Sequence, residues 1–276
     1  MKELDLILPD GTYISERLPG VSLLSFKPES ARFERNTSNT HPLRNGILMP
    51  RKGNKGRYVE RKVVVKLLIN ARNSQHFHLI RDDLSRLFTS EDPFYIGYTY
   101  QPNKRWLVTG DDGFSLEQDS NKTWKEQDIT LTDIQGLAES LYDTSVPFKI
   151  GKWSLGMNMG KIENPVYSFK NTNRFEVYNL GDTEVSPIDH KYDVEMYFEG
   201  KDIEILNETT GKSYTLVGSQ SKENKLNLRK HYTVNGSTIV TTKGACFPPL
   251  APGKNKFKII NATYSEIKFL THFYYK

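Results

Sequence analysis

The second half of the chain is built from short strand-like runs and little else. Arg174–Asn179, Tyr192–Phe198, Asp202–Asn207, Ser213–Val217, Thr238–Thr242, Lys256–Ile260 and Ile267–Tyr274 are each rich in β-branched or aromatic residues. Turn chemistry separates them, in Asn179-Leu180-Gly181-Asp182, Glu199-Gly200, Thr210-Gly211, Asn235-Gly236 and Pro252-Gly253. Runs this short, with no helical period among them, bury their apolar faces only by packing sheet on sheet. An antiparallel β-sandwich is therefore expected over residues 146–276.

The first half, residues 1–145, is expected to be a second mainly β domain with one helix. Tyr58–Asn70 reads as a strand through Val63, Val64, Val65, Leu67, Leu68 and Ile69. Asn73–Thr89 reads as the helix: Asn73 or Ser74 caps it, and Phe77, Ile80, Leu84, Leu87 and Phe88 recur at spacings of three and four. Pro93 blocks any continuation, and Phe94–Tyr100 is a short aromatic strand. Trp106–Thr109 and Phe114–Glu117 flank Gly110-Asp111-Asp112-Gly113, which predicts a β-hairpin. Trp124–Asp133 alternates as a further strand. From Gly136 to Gly160 the pattern weakens, which places an interdomain connection near 140–160.

At 276 residues and 37% hydrophobic, the chain is long enough for two cores. No apolar run reaches the roughly 18–20 residues of a membrane span. The opening Met1-Lys2-Glu3-Leu4-Asp5 lacks the basic and apolar regions of a signal peptide, so export by that route is not expected. Cys246 is the only cysteine, which removes disulfide frameworks, cysteine zinc sites and iron–sulfur centres.

Enzyme signatures were sought and none was found. Gly151-Lys-Trp-Ser154-Leu-Gly156 lacks the spacing of a nucleophile elbow, and no phosphate-cradling glycine loop is present. His76 and His78 are two apart on the expected helix and point to different faces. Asp82-Asp83 and Asp111-Asp112 are the adjacent acid pairs examined; nothing in the sequence selects two of the 33 acids as a glycosidase pair. The abundant aromatics, 12% of the chain, fit strands and buried interfaces better than a sugar-stacking face.

Charge is distributed unevenly. Residues 1–145 hold 20 basic and 20 acidic side chains, so the net +5 resides entirely in residues 146–276. Within the neutral half, Arg44 to Lys66 concentrates eight basic residues against Glu60 alone. Tyr58 is the one aromatic residue there, which argues against a base-stacking surface and leaves a solvated loop or contact with an acidic protein partner as the readings.

Three stretches together carry a resemblance. The first runs from Arg57-Tyr-Val-Glu-Arg61-Lys-Val-Val-Val-Lys through the helix to Asp92-Pro93-Phe94-Tyr95-Ile96 and Lys104-Arg105-Trp106-Leu107-Val108. The second is Phe175-Glu-Val-Tyr-Asn179-Leu-Gly181-Asp182-Thr-Glu-Val-Ser-Pro187, and the third Leu250-Ala-Pro-Gly253-Lys-Asn255-Lys-Phe-Lys-Ile. In this order they resemble the distal tail (Dit) proteins of long-tailed siphophages and prophages of Gram-positive bacteria.

That resemblance implies a virion structural protein, made in the host cytoplasm and placed at the tail tip or baseplate. Its N-terminal tail-tube-like β-sandwich would form a homo-hexameric ring, and its C-terminal galectin-like sandwich would project outward. The implied partners are the tail-tube (major tail) protein, the tail-associated lysin or tail fibre protein, and receptor-binding or baseplate proteins. No catalysis, cofactor, metal, membrane or specific nucleic-acid binding is implied, and DNA would pass through the ring without being recognised. The basic segment, with Arg44, Arg51, Lys52, Lys55 and Arg57, is the expected assembly interface. The alternative is a carbohydrate-binding module recognising cell-wall glycans through the C-terminal sandwich.

Overall fold

A computed structural model describes residues 3–37, 56–120, 122–148, 152–153, 157–158 and 164–276. The chain forms two compact units, one running to Ala138 and including Lys276, the other Glu139–Tyr275. No helix among the described residues is long and apolar enough to cross a membrane.

The first unit contains β1 (Leu6–Ile7), α1 (Ile14–Arg17), β2 (Val21–Pro28), β3 (Arg32–Arg35), β4 (Gly56–Val59), β5 (Arg61–Asn70), α2 (Ser74–Phe88), β6 (Phe94–Tyr98), β7 (Lys104–Thr109) and β8 (Trp124–Asp133). Its main sheet follows the order β1-β6-β7-β8-β5-β2, antiparallel throughout. Strict alternation along β5 buries Arg61, Val63, Val65, Leu67 and Ile69 on one face. Helix α2 begins where expected: the Asn73 side chain accepts from the His76 N–H at 2.8 Å, and Phe77, Ile80, Leu84 and Phe88 are buried. Each such side chain contributes about 1.5–3 kcal/mol of apolar burial.

The expected hairpin across Gly110–Gly113 does not form. Both edges of β7 are already occupied, with Ile96 opposite Trp106 on one side and Asp133 opposite Val108 on the other. Residues 114–117 therefore find no open ladder, and Leu116 is buried as a core side chain instead. The turn is held elsewhere, since a Cβ on Gly110 would fall 1.8 Å from the Phe88 carbonyl oxygen at the end of α2.

β9 (Ala138–Ser140) starts at the last residue of the first unit, and the second unit contains β10 (Ser168–Lys170), β11 (Arg174–Asn179), β12 (Tyr192–Asn207), β13 (Lys212–Gln220), β14 (Leu226–Arg229), β15 (Tyr232–Asn235), β16 (Thr238–Val240), β17 (Thr242–Lys243), β18 (Gly253–Thr271) and β19 (Tyr274–Tyr275). Four of the expected runs merge into two long strands, β12 and β18, which pair from Tyr192 opposite Thr271 to Asn207 opposite Phe257. Their ladder shifts register around Gly200, and there the backbone turns: φ is +152° at Gly200, 50° at Asp202 and 64° at Asn261. On one side of this corner the pair joins β10, β14, β15 and β16; on the other it joins β11, β13 and β17. Much of the aromatic content lies in the core, where Phe175, Tyr192, Phe198, Tyr214, Phe247, Phe257 and Phe269 are all buried.

Candidate assembly arm

Strands β2 and β5 pair with Pro28 opposite Val63. Past that pair the two chains stay together. The Glu29 N–H donates to the Lys62 carbonyl at 2.9 Å, and then Arg32 faces Val59, Phe33 faces Tyr58, Glu34 faces Arg57 and Arg35 faces Gly56. The register is the same on both sides of the interruption. β3 and β4 thus continue the β2–β5 hairpin as an arm, a two-stranded sheet of its own with no third strand among the described residues. A ribbon of two strands is marginal in water unless something packs on it.

The base of the arm is rigid. Arg61 Nε donates to Asp133 Oδ2 at 2.9 Å and Arg61 Nη1 to the Glu29 carbonyl at 3.0 Å, with both ion-paired side chains out of solvent. Burial pushes the Asp133 carboxyl up from its ordinary range, opposed by Arg61 and by the N–H groups of Gln135 and Gly136. Gly136, at φ +65°, presses its backbone against Val59, where a Cβ would fall 2.1 Å from the carbonyl oxygen. Only glycine fits there.

Beyond that base the arm is open. All four residues of β3 are exposed, including Phe33 at 37%. The Phe33 and Tyr58 rings meet edge to face at 5.0 Å, the Arg35 guanidinium lies 5.9 Å from the Phe33 centroid, and Arg57 Nε is 3.4 Å from Glu34 Oε2. So exposed an ion pair contributes little to stability. The arm therefore presents a mixed aromatic and charged surface that the fold of this unit does not need.

Of the five residues expected at an assembly interface, Arg57 stands on β4 beside Glu34. Arg44, Arg51, Lys52 and Lys55 lie outside the described residues, in the sequence that joins β3 to β4. Sequence reasoning overlooked Phe33 and Glu34, although Arg32-Phe-Glu-Arg35 carries the alternation of a short strand.

The acids tested for catalysis are occupied otherwise. Asp82 pairs with Arg81 and Asp83 with Arg86, each at 2.9 Å. Asp112 meets Lys62 at 2.5 Å, and Asp111 accepts from the Thr109 hydroxyl at 2.6 Å. His76 Nδ1 accepts from the Arg72 N–H at 3.1 Å. Ser154 lies outside the described residues, among which no group of three histidine, cysteine or acidic side chains could hold a metal.

Comparison with known proteins places this geometry. The phage tail protein RIFT-related domain family matches residues 27–132, a span that includes the arm, helix α2 and most of the first unit's sheet. Among solved structures, the chain is similar to the Dit protein (gp 19.1) of phage SPP1, described as a hub adsorption apparatus in phages infecting Gram-positive bacteria. The TM-score is 0.62 at 12% identity, over 99% of this chain and 100% of that one. A chain of the phage p2 baseplate in its activated conformation also aligns, at TM-score 0.41 and 11% identity over 97% of each chain. No curated protein sequence matches. Residues 27–132 thus match the phage tail protein RIFT-related domain, and along its whole length the chain has a fold similar to that of the SPP1 Dit protein.

Proposed function

We propose that the protein is the structural hub of a siphophage tail tip, six copies closing a ring that joins the tail tube to the tail fibre or tail-associated lysin. It works without catalysis, by shape. The observation that carries this reading is the arm, which leaves the sheet in the register of Pro28 and Val63 and exposes Phe33, Arg35 and Arg57 with no third strand over them among the described residues. A closed ring uses two different patches on each subunit, head to tail, and a projecting ribbon supplies one of them. The uncovered charges set its register on the neighbour. Arg44, Arg51, Lys52 and Lys55 stand in the sequence between β3 and β4, and the proposal gives them the same role as Arg57. Attraction of that surface to DNA within the ring would accumulate over successive phosphates and slow ejection, so the protein contact is the favoured role.

The test is the mass of the purified protein across a concentration range, followed by negative-stain imaging of the largest species. A six-subunit ring with a central hole is expected. Reversal of charge at Arg51, Lys52, Lys55 and Arg57 should shift assembly to higher concentration by at least tenfold. A ring that forms equally well from that variant overturns the role given to the arm. A protein that stays monomeric, alone and with tail-tube protein added, overturns the hub.

A further inference from the structure

Helix α2 carries one stripe residue that its own unit leaves unburied. Leu87 recurs with Phe77, Ile80, Leu84 and Phe88, yet only those four are buried. Leu87 instead borders an open cavity of about 470 Å³, together with Pro9, Leu18, Ser90 and Phe94. Leu18, Leu87 and Phe94 are each half-buried, so the cavity keeps apolar surface within reach of water. The charges around it fall into two sets. Arg17 is paired with Asp10 at 2.8 Å, and Arg86 with Asp83 at 2.9 Å. Glu91 and Asp92, on the segment between the bordering residues Ser90 and Phe94, are exposed, and neither enters an ion pair among the described residues.

The arm carries the complementary set. Phe33 is an exposed ring, and Arg32 before it and Arg35 after it have no carboxylate partner among the described residues. The two patches lie at opposite ends of β2. Where that strand begins, the Val21 N–H donates to the Leu18 carbonyl at 2.9 Å; where it ends, at Pro28, the arm departs. The eight residues of β2 span about 26 Å. A chain's own arm therefore leaves from the far end of the strand, and an arm that fills the cavity comes from another copy.

We propose that this cavity receives Phe33 from the arm of a second copy of the chain, with Arg32 and Arg35 of that arm meeting Glu91 and Asp92. The proposal names the receiving patch of the ring and rests on the reading of the arm as its projecting patch. Aromatic anchors seated in apolar pockets carry much of the energy of protein interfaces, and unpaired charges beside them fix the orientation. Because the giving and receiving patches differ and sit apart on each copy, the contact repeats head to tail.

The test uses the full-length protein with Cys246→Ser as background. One sample carries Phe33→Cys and another Leu87→Cys. Under mild oxidation each alone should run as a monomer on a denaturing gel, and their mixture should give a disulfide-linked dimer. A chain carrying both should give a ladder that ends at six. Separately, Arg32→Glu with Arg35→Glu should raise the concentration needed for assembly at least tenfold, and Glu91→Lys with Asp92→Lys should do the same. The four changes together should return it to near the wild-type value. All four residues are exposed, so melting temperature should not change. A wild-type ring without a cross-link in the mixture, Phe33→Cys linking to itself, or no rescue by the fourfold variant overturns this proposal and leaves the hub standing. A cross-linked mixture whose double variant does not stop at six supports the contact and overturns the six-subunit ring. A protein that stays monomeric at every concentration, with tail-tube protein added as well, overturns both.

Discussion

Arg61 and Asp133 form a buried ion pair at 2.9 Å at the point where the arm leaves its sheet, and register places the same two residues opposite each other on β5 and β8. Both charges are shielded from water, so removing one strands the other. Asp133→Ala should cost about 3–5 kcal/mol in denaturant titration. Replacing both with Met and Leu should recover most of that loss, because a well-packed apolar pair avoids the desolvation cost.

The arm itself should be dispensable for folding. Phe33→Ser removes an exposed ring whose chief packing partner is Tyr58, and surface changes of this kind stay within about 0.5 kcal/mol. Melting temperature should be nearly unchanged while assembly weakens. A loss of stability with unchanged assembly would show the ring to be core rather than contact surface.

At the corner of the second unit, a Cβ on Gly200 would lie 2.2 Å from the Asn261 carbonyl oxygen. Gly200→Ala should therefore destabilise by at least the roughly 1–3 kcal/mol of a strained backbone position, and by more through the clash. Gly211→Ala is the control. Its φ is +67°, but the space around it is open, so it meets strain alone.

Two buried asparagines hold the segment that leads into β18. Asn255 accepts from the Ala251 N–H at 2.9 Å and donates to the Ala251 carbonyl at 2.7 Å, while Asn207 donates to the Pro249 carbonyl and to Asn255 Oδ1. Asn255→Leu leaves several of these groups without partners. It should cost about 1–3 kcal/mol for each buried group left unsatisfied, measurable by chemical denaturation.

His190 makes the second unit sensitive to acid. Its half-buried ring lies 4.2 Å from that of Tyr274, and Nδ1 accepts from the Ser186 N–H. Burial lowers its pKa below the ordinary imidazole value, against the pull of Asp189, the Ser186 contact and Glu139. A lowered folded-state value means that the unfolded chain takes up the proton first. Its stabilising contribution is thus complete above about pH 6.5 and is lost as pH falls toward the folded value. Melting temperature should drop through that window, and His190→Gln should flatten the drop.

Local pattern alone determined a good deal. The stripe of Phe77, Ile80, Leu84 and Phe88 with its Asn73 cap specifies α2, because a helix period and a capping amide are properties of neighbouring residues. A β-branched apolar run specified β5, and alternation specified β8, in the same way. The tertiary structure decided what depends on partners distant in sequence. Residues 114–117 are not a strand because β6 and β8 already hold both edges of β7. β12 and β18 are single bent strands, although Gly200 and Asn261 punctuate them like turns, because each finds the other across the corner. β2 went unread because its register shift at Leu23/Ser25 breaks the alternation that would have announced it. The arm is the clearest case. Arg57 was legible as part of a charged segment, but only pairing with Arg32–Arg35 turns that charge into a ribbon aimed away from its own sheet, since register is set between strands and not within them.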